Sequence, residues 1–253
     1  MNSIVILGAG NVATHLYKSL EHSENFQVIQ VYNRTKENLS FYEGKVDTIS
    51  NLNDLKPADI YILALKDDII ASIAKTLPYK NALTIHTSGA TSIEALDKIE
   101  RRGVFYPLQT FSKNKEVDFS KVPICIEANH MEDEDLLEKL SLEISKNVFR
   151  IDSSQRKHLH VAAVFVSNFV NYMYTVGENI CKENNIPFEI LHPLILETAE
   201  KATKIGPMSA QTGPAKRNDL DVINTHQALI TKKQQEIYKI ITKSIQDLHG
   251  KEL

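Results

Sequence analysis

A glycine-rich turn near the start of the chain constrains the fold more than any other feature. It follows a short β-branched apolar run at residues 3–7 and opens a segment, residues 11–20, with apolar side chains at helical spacing. The turn matches the pattern G-x-G-x-x-G/A, in which glycines let the backbone approach a pyrophosphate at the helix N-terminus. The sequence therefore predicts a dinucleotide site. Its first cofactor-binding residues are Gly8, Gly10, Asn11 and Val12.

Strand and helix patterns alternate through the first 150 residues. Apolar runs predict strands at residues 27–32, 60–64, 82–86, 122–127 and 147–151, and amphipathic spacing predicts helices at 67–77, 91–101 and 132–145. Asp67 or Asp68 is expected to cap the first of these helices. This alternation favours an α/β fold with a doubly wound, mostly parallel Rossmann sheet.

The pattern changes after residue 152, beyond which no strand is expected. Helices are predicted at residues 154–183, from Pro187 to about residue 206, and from about 219 to 248. We therefore predict a dinucleotide-binding Rossmann-like domain at 1–152 and an all-helical domain for substrate binding and dimerisation at 153–253.

Composition restricts the classes of partner and the compartment. The 253 residues are 42% hydrophobic and 24% charged, with a net charge of −3, which predicts a packed core and no nucleic-acid or anionic-membrane partner. Cys125 and Cys181 form neither a disulfide framework nor a metal pattern, so no metal is expected. With no targeting pattern at the N-terminus, and a longest apolar run of only residues 161–166, a soluble cytoplasmic protein is predicted.

The end of the second strand indicates which dinucleotide binds. Enzymes that use NAD usually carry an acid there, whereas this chain has Asn33, Arg34 and Thr35. A forked guanidinium suits a ribose 2′-phosphate, and the neighbouring side chains can donate hydrogen bonds. NADP is therefore the predicted cofactor, and the alternative is that Arg34 is a solvated loop residue.

The ends of two later strands should also border the cofactor, because ligands of such sheets bind beyond the carboxyl ends of the strands. Leu65 and Lys66 follow the strand at 60–64, although Lys66 could be a plain surface lysine. His86 to Gly89 follow the next strand and are expected near the nicotinamide. Ser88 is a catalytic candidate there, unless its hydroxyl only bonds the backbone.

Polar residues in the second half supply further candidates. His160, Val164 and Asn168 are spaced i, i+4, i+8, which places them on one face of an ideal helix. His160 could act as a general acid, Asn168 is a second catalytic candidate that would face the substrate, and Asn171 could bind substrate. Alternatively, the two amides simply bond between helices. His158 beside His160 stays an alternative.

A polar loop between the later helices adds one more pair of candidates. Arg217 could hold a substrate carboxylate, and Asp219 could cap the following helix.

Five motifs lie at residues 8–13, 86–90, 106–111, 160–168 and 212–219. Through them nearly the whole chain resembles a family of NADP oxidoreductase-like proteins that join a Rossmann-like domain to a helical domain of unassigned function. More distantly it is similar to pyrroline-5-carboxylate reductase, to the deazaflavin-dependent NADP oxidoreductases and to β-hydroxyacid dehydrogenases. The resemblance implies hydride transfer and a helical domain that often dimerises.

One departure from β-hydroxyacid dehydrogenases is informative. Their catalytic lysine stands four residues before an asparagine that Asn168 matches, and here that position holds Val164. Three functions remain open: an NADPH-dependent reductase of a small C=O or C=N substrate, a non-catalytic NADP-binding sensor or interaction module, and an oxidoreductase that also binds a deazaflavin.

The helical half carries more apolar residues than one layer of helices can bury, among them Val161, Phe165 and Val170. We therefore expect a homodimer formed through the C-terminal helices.

Overall fold

The structure is a computed structural model, and it describes residues 1–113 and 115–250. Its strands are β1 (Asn2–Leu7), β2 (Phe26–Tyr32), β3 (Asp47–Ile49), β4 (Ile60–Leu63), β5 (Leu83–His86), β6 (Arg102–Pro107), β7 (Ile124–Ala128) and β8 (Val148–Arg150). They form one sheet in the order β3-β2-β1-β4-β5-β6-β7-β8. Neighbouring strands run parallel except for the antiparallel pair β6 and β7, which confirms the doubly wound, mostly parallel sheet.

Helices join the strands of the sheet and make up the rest of the chain. They are α1 (Asn11–Leu20), α2 (Asp67–Thr76), α3 (Met131–Ile144), α4 (Ser153–Ala163), α5 (Val170–Glu183), α6 (His192–Ile205), α7 (Pro207–Ala210), α8 (Leu220–Ala228) and α9 (Lys232–His249). A π-helical segment, Val164–Phe169, joins α4 to α5. Short 3-10 turns lie at Lys36–Tyr42, Leu52–Asp54, Ile93–Leu96, Phe119–Lys121 and Phe188–Leu191.

The core lies on both faces of the central strands. Side chains alternate along a strand, so Ile4 and Ile6 of β1 pack into one apolar cluster and Val5 and Leu7 into another. All four are fully buried, which explains why this strand is a continuous apolar run rather than an alternating one.

Two predicted helices differ from the structure. The segment predicted as a helix at 91–101 forms only the 3-10 turn Ile93–Leu96 and then leads into β6, a strand that the sequence analysis missed along with β3. The helix predicted at 219–248 is two helices, because Thr231 starts a new one with a reciprocal capping box to Gln234.

The two capping predictions have opposite outcomes. The cap at Asp67 or Asp68 was wrong, since Lys66 occupies the cap position of α2 without a side-chain hydrogen bond. Asp219 does cap α8 through the amide of Val222.

The chain forms two compact units, Met1–Ser167 and Asn168–Leu253. The change from strands to helices falls at the expected residue 152, whereas the boundary between the units lies further along, inside the long helical segment. Helix α4 belongs to the first unit because its side chains are bonded to the sheet.

The helical segment Ser153–Glu183 is more apolar as a whole than its longest unbroken apolar run indicated. Among the described residues it alone is long and apolar enough to cross a membrane, with a mean hydropathy of 1.2 in its most apolar window. Length and composition are the only criteria it meets, and one such helix is weak evidence for a membrane span.

A buried ion pair binds α4 to the sheet. The guanidinium of Arg156, fully inaccessible to solvent, contacts Glu127 of β7 and donates to the Thr91 carbonyl at 2.6 Å and to Ser153 Oγ at 3.0 Å. Ser153 Oγ donates to Glu127 at 2.7 Å and accepts from the amide of Ile93 at 2.9 Å. This cluster, the Arg156 cluster, joins α4, β7 and the segment after β5.

We expect Arg156→Met to destabilise the first unit by about 3–5 kcal/mol, because Glu127 would remain as a buried charge without its partner. Urea unfolding followed by circular dichroism measures this. The double variant Arg156→Met/Glu127→Gln should recover part of the loss. Arg150→Met removes ion pairs that are exposed to solvent and should change stability much less. Equal losses for the Arg156 and Arg150 variants would contradict the role of the buried pair.

Candidate functional site

The glycine-rich turn has the backbone geometry that its sequence predicts. Gly8 has φ +120°, and a Cβ there would lie 2.1 Å from the carbonyl oxygen of Ala64 at the end of β4. Its amide donates to the Tyr32 carbonyl at 2.7 Å, at the end of β2. The turn therefore lies between the ends of β2 and β4, and at Gly8 it is so close to β4 that no side chain fits.

Gly10 differs, because a Cβ there would meet no described atom within 4 Å. Gly10 is exposed and stands at the cap position of α1, where no side chain accepts from the first amides of the helix. Packing within the chain therefore does not explain this glycine, whereas the approach of a pyrophosphate to free helix amides would. The turn fits a dinucleotide.

Asn11 uses its side chain to position a neighbouring loop. Its Nδ2 donates to the Phe111 carbonyl at 2.8 Å, and one turn later His15 Nε2 lies 3.0 Å from the Ser112 carbonyl. The segment after β6 is thus tied to α1, a contact that the sequence gave no signal for. Asn11 can therefore bind a cofactor through its backbone. The same holds for Val12, which is half-buried and whose side chain packs against the core.

The loop after β2 presents the predicted cation. Asn33 Nδ2 donates to the Thr35 carbonyl at 2.7 Å, which closes the loop around Arg34. Arg34 and Thr35 are exposed, and within residues 1–113 and 115–250 the Arg34 guanidinium has no hydrogen bond or ion pair. Its fork is therefore available to a phosphate.

The two candidates at the end of β4, Leu65 and Lys66, differ in burial. Leu65 packs against the core, and Lys66 is exposed at the start of α2. Only Lys66 can present a side-chain charge to a ligand.

His86 is completely buried, and both its ring nitrogens are engaged. Nδ1 accepts from the Ser88 amide at 3.2 Å, so Nε2 carries the hydrogen and donates to the Ser92 carbonyl at 3.3 Å. Burial, reinforced by the positive charge of Arg156, lowers the pKa of His86 to about 4. A neutral His86 shapes the loop that follows β5.

Ser88 Oγ is equally committed within that loop. It accepts from the amides of Ala90 and Thr91 at 3.1 and 2.9 Å and donates to Thr91 Oγ1 at 3.0 Å. Of the two readings of Ser88 left open by the sequence, these distances match the hydroxyl that bonds its own backbone.

The loop after β5 also contacts a pair of rings, of which the sequence analysis singled out only one as a site residue. Tyr106 Oη lies 3.1 Å from His160 Nδ1, and the rings meet edge to face. A Cβ on Gly89 would lie 2.6 Å from Tyr106 Cζ and 2.7 Å from His160 Nδ1, so the loop backbone touches both rings. His160 was a candidate, and His158 instead bonds to the Ser154 carbonyl at 2.8 Å. Tyr106 was missed because β6 was missed.

The remaining candidates lie in or beside the π-helical segment and in the second unit. Val164 begins this segment, whose i→i+5 bonds turn each residue by a smaller angle than an α-helix, so the even i, i+4, i+8 spacing does not carry through to Asn168. Asn168, Asn171 and Arg217 are all exposed. The Arg217 amide donates to the Gly213 carbonyl at 3.4 Å, in the turn that precedes α8.

The fold and the glycine turn define a Rossmann-type dinucleotide-binding protein. The family model for NADP oxidoreductase, coenzyme F420-dependent, matches residues 3–87, and a domain of unknown function, DUF2520, matches residues 122–245. No curated protein matches the chain significantly.

Solved structures extend the similarity over the whole length. A Bacteroides fragilis protein described as a candidate NADP oxidoreductase is 38% identical, with a TM-score of 0.88 and coverage of 97% of this chain and 98% of that one. Pyrroline-5-carboxylate reductase of Streptococcus pyogenes is 15% identical (TM-score 0.66, coverage 99% and 97%). A reductive aminase of Aspergillus terreus solved with NADPH and ethyl levulinate is 10% identical (TM-score 0.75, coverage 99% and 95%). The last two share the fold alone.

The chain belongs to the family of NADP oxidoreductase-like proteins that join this N-terminal domain to the helical DUF2520 domain. The resemblance inferred from the motifs is confirmed, and so is the class of enzyme, an NAD(P)-dependent oxidoreductase.

The buried His86 predicts a pH dependence of stability. Its folded pKa of about 4 lies below the ordinary value of 6.5, so between these values the unfolded chain binds a proton that the folded chain does not. Stability is therefore lost as the pH falls through this window, by about 2 kcal/mol between about pH 7 and pH 5. Urea titrations at both pH values should show this loss in the wild type and not in His86→Asn.

His22→Asn replaces an exposed histidine and serves as the control, because it should leave the pH dependence of the wild type unchanged. An identical pH dependence in the wild type and His86→Asn would contradict a buried neutral His86.

Proposed function

We propose that this protein is an NADPH-dependent reductase that transfers hydride to a small C=O or C=N substrate. The observation that carries the proposal is the open cradle at Gly10: free helix amides and a glycine that packing within the chain does not require. When bound, the cofactor supplies the hydride. The chain supplies binding, orientation and a proton.

NADP is the proposed form of the cofactor because of the loop after β2. The exposed guanidinium of Arg34 stands where enzymes that use NAD carry an acid, and Asn33 holds the loop in shape. Thr35 and Lys66 add a hydroxyl and a second cation. His86 contributes through the loop backbone it fixes.

Polar residues of each unit have separate proposed roles. His160 takes part in proton transfer, and Ser88 shapes the loop beneath it. We assign Asn168 and Asn171 to hydrogen bonding and Arg217 to the binding of a carboxylate, from the chemistry of their exposed polar groups.

The second candidate function is a non-catalytic NADP-binding sensor. It is favoured by Val164, which stands where β-hydroxyacid dehydrogenases carry their catalytic lysine. Loss of NADPH absorbance with a panel of imines, ketones and aldehydes separates the two, because a sensor would bind NADPH without turnover. Repeating the assay with a reduced deazaflavin tests for a second cofactor.

We further propose a homodimer formed by the second unit. The 14-residue helix α6 has no buried residue, and its Leu194 and Leu196 are 60% and 70% exposed. Leu229, at the end of α8, is 75% exposed. Large apolar side chains this exposed need cover from elsewhere. A second copy of the chain covers such a surface on both molecules at once.

A cytoplasmic location completes the proposal. Cys125 and Cys181 are buried free thiols, as expected in a reducing compartment.

Arg34→Ala should abolish the preference for NADPH. Calorimetric titration of the wild type should give NADPH a Kd at least about tenfold below that of NADH, or about 1.4 kcal/mol. The variant should bind both with similar affinity. Lys98→Ala, an exposed cation before the amino end of β6, should keep the wild-type preference. Retention of the preference in Arg34→Ala would contradict the assignment.

Light scattering at micromolar concentration should give twice the chain mass of 28.6 kDa. Leu194→Glu/Leu196→Glu should shift the protein to the monomer, because it places two charges where α6 exposes apolar side chains. Lys201→Glu, at a partly buried polar position of the same helix, is the control. A wild-type monomer would end the dimer proposal, and sedimentation of that monomer with anionic vesicles would indicate a membrane surface instead.

A further inference from the structure

The Tyr106–His160 pair lies at the edge of the sheet where ligands of this fold bind. In the parallel pairing of β5 with β6, His86 is opposite Val104, so Tyr106 stands two residues further toward the carboxyl edge. His160 lies one helical turn after Arg156, whose buried cluster fixes α4 against β7. Two separate elements thus hold the two rings in place.

The environment keeps the Tyr106 phenol neutral. Burial raises the pKa of Tyr106, Cys125 raises it further, and the positive charge of Arg156 lowers it by less. Burial also raises the pKa of Cys125, to about 11, so this thiol opposite Tyr106 on β7 is uncharged as well. The charged groups that act on the Tyr106 phenol are Arg156 from α4 and Asp67 from α2. The phenol therefore retains a proton that it can donate.

We propose that Tyr106 is the residue that donates the proton to the reduced substrate, and that His160 orients it and replaces its proton. The inference rests on the proposed reductase function. It assigns to Tyr106 the direct role that the sequence suggested for His160, because the contact of His160 Nδ1 is with the phenol oxygen.

The hydrogen bond between the rings sets a condition on the protonation of His160. A phenol has one hydrogen, so a Tyr106 that donates to Nδ1 of a neutral imidazole has none left for a substrate. When His160 is protonated, Nδ1–H donates to Tyr106 Oη instead, and the phenol hydrogen points outward. A neutral ring with its hydrogen on Nδ1 also frees the phenol hydrogen, but it would become an imidazolate on replacing the proton. Only the protonated ring can do both.

The transfer balances in three steps. The C=N or C=O carbon gains a hydride from NADPH, and its nitrogen or oxygen takes the proton of Tyr106 Oη. The phenolate oxygen takes the proton of His160 Nδ1, which leaves a neutral imidazole. His160, which is half-buried, recovers a proton from water before the next turnover.

A pH dependence follows from this condition. The reduction rate of the wild type should therefore fall at high pH. Magnetic resonance of the His160 ring nitrogens, with no substrate present, should show Nδ1 bonded to Tyr106.

The test compares the wild type, Tyr106→Phe and the control Tyr79→Phe. Tyr79 is another half-buried phenol of the first unit, bonded to the Leu55 carbonyl at 3.2 Å. Each protein is measured for NADPH binding, for the magnetic resonance signal of His160 Nδ1, and for kcat against pH with the panel of imines, ketones and aldehydes.

Tyr106→Phe should lower kcat by about 10²- to 10⁴-fold, the usual effect of losing a proton donor. It should leave NADPH affinity unchanged and shift the resonance of His160 Nδ1, because the hydrogen bond to the phenol is lost. Tyr79→Phe should match the wild type in all three measurements. His160→Asn should remove the high-pH fall in rate, because the group responsible for it is gone.

The outcomes separate the relay from the function on which it rests. A wild type that binds NADPH and turns over no substrate would overturn the reductase proposal, and the relay with it. Wild-type turnover with an unchanged kcat in Tyr106→Phe would overturn the relay alone. An unchanged resonance of His160 Nδ1 in Tyr106→Phe would also overturn it, since the two rings would then not be bonded in solution.

Discussion

The first unit depends on a positive charge from which water is wholly excluded. Removing a guanidinium and a carboxylate from water costs several kcal/mol each, and only close pairing with further hydrogen bonds offsets this. Arg156 meets Glu127, the Thr91 carbonyl and Ser153, and so joins a helix, a strand and a loop at one point. Through its charge it also helps keep the neighbouring His86 neutral.

The direction of the strands decides which residues meet at the candidate site. Because β1, β2, β4, β5 and β6 run parallel, the loops that follow them emerge at the same edge of the sheet. That edge carries Gly10, Arg34, Lys66 and the loop of His86 to Gly89, which are far apart in sequence. Gly8 adds a local condition, since only a residue without a side chain can lie against the end of β4 there.

Polar groups at this edge divide into those that hold the loop and those that remain available. His86 and Ser88 accept hydrogen bonds from backbone amides, so they give the loop after β5 a fixed shape. That loop in turn places Gly89 against Tyr106 and His160. Rigid support beneath a reactive pair is what catalysis needs, because a small displacement of the reacting groups costs much rate.

The sequence by itself determined the features that are local or periodic. The glycine turn, the apolar strands, the cap at Asp219 and the family motifs all depend on neighbouring residues. The π-helical segment, the break before Thr231 and strand β6 did not follow from it. Strand β6 pairs with strands on both sides, and its strand-favouring residues 104–106 are too short a run to predict it alone. Only the tertiary structure brought Tyr106 to His160 and Arg156 to Glu127, because hydrogen bonds between distant segments depend on the packing of the sheet.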